Sequence, residues 1–217
     1  MKSDIQLRSD VLAELAWDPA VDANEVGVIV REGVVTLTGQ LDSYAQKFAA
    51  ERAVLRVAGV RGLAVDLGVK LPASHERSDA DIALAVQHAL QWSALVPQGK
   101  IQAMVEKGHV TLRGDVAWEF QRAAAEGAVR NLLGVVAVAN LIKLAPRASP
   151  AVVEKGIHEA LARQADRAAR HVEVAVKGST VTLTGHVHSW AERDAVQGAA
   201  WAAPGVTTIV NELVVDD

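Results

Sequence analysis

One short string recurs three times in the 217 residues and limits the fold more than any other feature: GVVTLTG at 33–39, GHVTLRG at 108–114 and STVTLTG at 179–185. The offsets are 75 and 71 residues. Self-similarity at a near-constant period means that one small unit is repeated, so the chain must be read as copies and not as a single domain. Both offsets hold along the unit. They align Leu7/Ile82/Val153, Val11/Val86/Ile157 and Leu15/Leu90/Leu161, an i, i+4, i+8 stripe that predicts the buried face of an opening helix.

The next aligned sets, Val26/Ile101/Val172, Val28/Ala103/Val174 and Val30/Val105/Val176, alternate at period two and predict a strand with one covered face. Glycines near 33, 108 and 178 mark a hairpin turn into a second strand, through Val35/Val110/Val181, Leu37/Leu112/Leu183 and Leu41/Val116/Val187. Gly39, Gly114 and Gly185 fall inside that strand, where a missing side chain suits a bulge or the close approach of a helix. Ala49/Ala124/Ala195 and Ala53/Ala128/Ala199 imply a second helix. It stops at Gly59-Val60, Gly134-Val135 and Gly205-Val206, where glycine is expected as a left-handed C-cap.

The last strand is expected through Leu63, Val65 and Leu67, through Val136, Val138 and Leu141, and through Ile209, Leu213 and Val214. This alignment puts an extra residue after Gly59 in the first copy. Asn140 then matches Asn211, and Asp66 joins them only after a one-residue shift. The class is α+β: three tandem αββαβ repeats at 1–71, 78–145 and 149–217, each about 65 to 70 residues and of a size that folds alone. The joints at 72–78 and 146–150 carry proline, which predicts restricted relative motion.

Composition narrows the function. Half the residues are hydrophobic, too many for a disordered chain. A net charge of −4 argues against a surface built to neutralise phosphates, so no nucleic-acid partner is expected. The absence of cysteine removes disulfides, thiolate metal sites and thiol nucleophiles together. Lys2, Asp4, Arg8, Asp10, Glu14 and Asp18 interrupt the first eighteen residues, leaving no apolar core for a targeting segment; the expected location is cytoplasmic. The longest stretches without charge, 82–99 and 195–211, are too polar to span a membrane.

The hairpin strand V-x-L-x-G, the alanine-rich helix and a Gly-Val about 20 residues further on, followed by a V-x-V-x-N-like strand, resemble the BON domain (bacterial osmotic-stress and nodulation). All three copies carry the pattern: Val35 to Gly39 with Gly59-Val60, Val110 to Gly114 with Gly134-Val135, and Val181 to Gly185 with Gly205-Val206. The resemblance implies a three-stranded mixed sheet with two helices packed on one face. It further implies no catalytic centre, and attachment to phospholipid or cell-envelope surfaces under stress. Without a targeting segment the chain looks most like the triple-BON proteins called osmotically inducible or transport-associated.

Five tryptophans against two Phe and one Tyr is an unusual aromatic balance. Trp17 and Trp92 occupy equivalent positions at the end of the first helix, and Arg163 takes that position in the third copy. An indole there either plugs the small core or sits at a membrane–water interface. Trp118 and Trp190, near the start of the second helix, and Trp201 stand where the copies differ, which suits contact with a partner or half-burial against the helix. Arg163, Arg167 and Arg170, with Lys155 nearby, form either a cationic stripe for lipid headgroups or ordinary helical pairs with Glu159 and Asp166.

His186 and His188 share one face of a strand, but no repeated ligand set accompanies them, so no metal is expected. No nucleophile elbow, H-E-x-x-H, Walker or G-x-G-x-x-G motif is present, so neither enzyme activity nor a cofactor is expected. The leading expectation is a non-enzymatic protein that docks peripherally on an anionic phospholipid or envelope surface. The alternative is a protein–protein scaffold or homo-oligomer.

Overall fold

The computed structural model describes residues 2–145, 157, 172–203 and 205–216. In the first copy Ser3 opens helix α1 (Asp4–Trp17): its hydroxyl accepts the Gln6 amide while the Gln6 side chain returns to the Ser3 amide. This reciprocal pair satisfies two donors that a helix start leaves free. Leu7, Val11 and Leu15 then fall on one face and are buried, each contributing about 1.5–3 kcal/mol.

The chain turns into β1 (Val26–Arg31) and β2 (Val34–Leu41), crosses over through α2 (Tyr44–Leu55) and ends in β3 (Gly62–Val69). β1 pairs antiparallel with β2, and β2 pairs parallel with β3. A parallel partner needs a crossover, and α2 supplies it. Val35, Leu37 and Leu41 point from β2 into the same core as α1 and as Ala50, Ala53 and Val54 of α2. Both helices therefore cover one face of a mixed sheet.

The unit repeats as α3 (Asp79–Trp92), β4 (Ile101–Glu106), β5 (His109–Val116), α4 (Glu119–Arg130) and β6 (Ala137–Leu144). The third copy shows β7 (Val172–Lys177), β8 (Thr180–Val187), α5 (Trp190–Trp201) and β9 (Thr208–Val215). Ile157, from its helical stripe, is fully buried in that core; Val153 and Leu161 lie outside the described residues. Three sheets of identical order result.

Several local expectations change. β2 starts opposite Gly62, β5 opposite Ala137 and β8 opposite Thr208, so the offsets of 75 and 71 persist to the chain end. The first copy has no extra residue after Gly59, and the residue matching Asn140 and Asn211 is Val65, not Asp66. Leu141 and Val214 face outward, while Leu67, Ile142 and Leu213 hold the core. The β1–β2 and β4–β5 registers run unbroken through Gly39 and Gly114, which excludes a bulge there. What approaches is backbone: a Cβ on Gly39 would lie 2.0 Å from the Glu25 carbonyl oxygen, and on Gly114 the same distance from that of Lys100. The register through Gly185 is equally regular.

Gly59, Gly134 and Gly205 do adopt positive φ, but four residues past the helix ends. The C-caps are Arg56, Asn131 and Ala202. These glycines shape the turn that returns the chain to the sheet, and at Gly134 a Cβ would strike the Ile82 side chain at 2.8 Å.

Candidate functional site

The second helices meet across the copies, and the contacts form a cycle. Tyr44, at the start of α2, packs against the second copy's core, beside Leu132 to Val135 at the end of α4. Burial, then the charges of Glu126 and Glu51, pushes its hydroxyl pKa up. Arg130, the last residue of α4, stacks 3.7 Å over the Phe48 ring. Trp190, the equivalent of Tyr44 on α5, packs on the first copy's core and donates its indole N–H to the Val60 carbonyl. Arg193 lies 5.0 Å from that ring.

Between these two seams, Arg122 of α4 lies 5.1 Å from the ring of Trp201 at the end of α5. The start of one second helix thus touches the end of the next in the order first on second, second on third, third on first. A heterologous contact repeated with closure makes a ring, here within one chain.

The seam between the second and third copies differs in chemistry. Glu119 stands where Tyr44 and Trp190 supply aromatic anchors. Burial pushes its carboxyl pKa up, against the pull of Arg122, whose Nε lies 2.7 Å from the carboxylate. Trp118 stands where Ser43 and Ser189 cap their helices. Indole cannot accept a hydrogen bond, so α4 lacks the side-chain cap, worth about 1 kcal/mol; Gln121 still reaches back to the Ala117 and Trp118 amides. A cavity of 660 Å³ opens here, lined by Trp118, Phe120, Trp201, Arg52, Arg122 and Asp194 among others.

Trp17 and Trp92 are 82% and 88% exposed, so neither plugs a core. The two stand at equivalent positions, each the last residue of its copy's first helix, and Ile5, Leu84 and Leu95 are further exposed apolar side chains. Beside Trp17, Arg56 is held by Glu14 and Asp18 at 2.8 and 2.9 Å. Arg163, Arg167 and Arg170 lie outside the described residues.

The structure therefore divides the tryptophans. Trp190 is half-buried where the third copy meets the first, packed on the first copy's core. Trp118 and Trp201 line the cavity of another seam, and Trp17 and Trp92 alone among the five are mostly in solvent. His186 pairs with Asp216 at 2.7 Å and His188 with Glu192 at 3.2 Å, two separate carboxylates.

Sequence reasoning missed a further pair. Asp4 accepts from the Glu32 and Gly33 amides, and Asp79 from those of Lys107 and Gly108. These bonds hold Glu32 and Lys107 at φ 51, a conformation that costs a side chain energy. The signal was present: the third copy has Pro150 at the aspartate position and Gly178 at the strained one.

A family model described as BON domain matches residues 3–70, 78–146 and 151–217. No curated protein sequence matches the chain. Among solved structures it is similar to CdsD, a structural protein of the type III secretion system of Chlamydia trachomatis, at 15% identity and TM-score 0.27 over 96% of this chain and 91% of that one. The C-terminal domain of CdsD is similar at 16% identity and TM-score 0.28, with all of both chains covered.

Proposed function

Because the chain belongs to the BON-domain family, with three copies covering most of its length, we propose that it is a non-catalytic docking protein of the stress response whose ring presents one edge to a phospholipid surface. The observation that carries this reading is the pair of exposed indoles, Trp17 and Trp92, at equivalent positions. Transferring an indole to the headgroup region is favourable because its ring is apolar and its N–H stays solvated. Arg163 occupies the third equivalent position by sequence, and with Arg167 and Arg170 it supplies cations for anionic headgroups. No helix among the described residues is long and apolar enough to cross a membrane, so docking is peripheral, and the proposed side is the cytoplasmic one.

The test is co-sedimentation with phosphatidylglycerol and phosphatidylcholine vesicles at low and high salt, comparing wild type with the W17A/W92A double variant. Preference for the anionic vesicles, a blue shift of tryptophan emission and roughly tenfold weaker binding by the variant are expected. Equal binding by the variant, or none by wild type, overturns the reading.

A second reading, a protein scaffold, is favoured by one feature. Helix α3, which ends in Trp92, carries no Lys or Arg. If indoles rather than cations dominate and vesicles are ignored, this exposed face contacts protein.

A further inference from the structure

The first and second copies differ where the first strand meets open solvent. In the first, Arg8 of α1 lies over the free edge of β1 and its Nε donates to the Val28 carbonyl at 2.9 Å. Val28 is buried, and Leu12 packs beside it against the core. In the second copy the equivalent residues are Ala83, Gln87 and Ala103. All three of the first copy's fillers have been shortened or made polar.

The outcome is a groove of 700 Å³ between α3 and the edge of β4, reaching the core at Leu90 and Val96. Ala103 faces Leu112 as Val28 faces Leu37, so its carbonyl points to the same free edge. Among the described residues no side chain bonds it. An exposed edge with unpaired amides and carbonyls is a template for an added strand.

We propose that this groove binds an extended peptide segment of another protein, which pairs with the free edge of β4 and seats an apolar side chain over Ala83 and Ala103. Two observations fix the chemistry of the occupant. The position that an arginine donor fills in the first copy calls for a backbone N–H in the second. No residue lining the groove is ionisable, so the segment is uncharged where it enters. A second copy of this chain fits less well. Self-pairing of β4 centred on Ala103 sets alanine against alanine and leaves the groove unfilled. The proposal does not rest on vesicle docking through the indoles.

The experiment pans a phage-displayed library of seven-residue peptides against the full chain, then measures the enriched peptides, synthesised with blocked ends, by calorimetry and amide chemical shifts. Expected are uncharged sequences rich in β-branched residues, with shifts concentrated on residues 101–105. A83R restores the first copy's plug and should weaken binding by roughly tenfold or more. Q87L/A103V, which restores the other two fillers, should do the same if A83R fails to fold. No enrichment, or equal binding by folded variants, overturns the proposal. So does a wild-type dimer in sedimentation that A83R dissolves, since the groove then belongs to a second copy.

Discussion

Two seams of one ring, built from the same helix, have opposite chemistry. Where the third copy meets the first, Trp190 buries an aromatic ring and satisfies its N–H on the Val60 carbonyl. Where the second meets the third, a half-buried carboxylate occupies that position, α4 has lost its capping serine and a cavity remains. The first is how a repeat protein holds its units together. The second carries costs that folding alone does not explain.

The largest effect should come from the well-made seam. Trp190→Ala removes the whole anchoring indole and leaves the Val60 carbonyl without its donor; destabilisation of about 3 kcal/mol is expected in denaturant unfolding. Trp118→Ala, at the poor seam, should cost well under half of that. Equal losses would erase the distinction between the seams.

Trp118→Ser tests the cap in the opposite direction. A serine there matches Ser43 and Ser189 and should stabilise α4 by about 1 kcal/mol, read as slower amide exchange in its first turn. Faster exchange in that turn would mean that the indole contributes more through the seam than the missing cap costs.

How much of this was legible follows from the physics of each feature. The succession of helices and strands and their core faces could be read because apolar spacing is local and was displayed three times, as in Leu7/Ile82 or Leu37/Leu112/Leu183; the mixed sheet came from the family resemblance. The seams could not be read. Trp190 and Trp17 look alike in a sequence, and only the arrangement of the copies decides that one is covered and the other bare. The groove at Ala103 was visible as Val28/Ala103/Val174, yet its meaning depended on Arg8, which no periodicity connects to Val28. The last strand was misaligned because Val65 breaks the asparagine pattern while the spacing stays constant.

Acidity sharpens the seam comparison further. The carboxyl of Glu119 has a folded pKa above its ordinary value, chiefly from burial. The folded state therefore binds the proton more tightly than the unfolded one, and the penalty is present at neutral pH and relieved as pH falls through the raised value. Glu119→Gln should raise stability at neutral pH by a few tenths of a kcal/mol, after discounting for solvent screening. The gain should vanish in acid, when wild type is itself protonated. Thermal melts across pH 3.5 to about 7 decide it, and a constant difference would remove the carboxylate from the account.

The smallest effect carries the comparison of copies to the hairpins. Asp79 has its pKa lowered by the Gly108 and Lys107 amides that donate to it. Its sign is opposite to that of Glu119: the stability it adds is present above the ordinary carboxylate pKa and is lost as pH falls through the lowered one. Asp79→Asn should thus lower the melting temperature slightly at neutral pH and not at all in strong acid. Adding Lys107→Gly, which gives the second hairpin the glycine that the third has at Gly178, should restore most of the loss, because glycine needs no carboxylate to hold positive φ. If the glycine rescues nothing, the aspartate does not act by holding the turn.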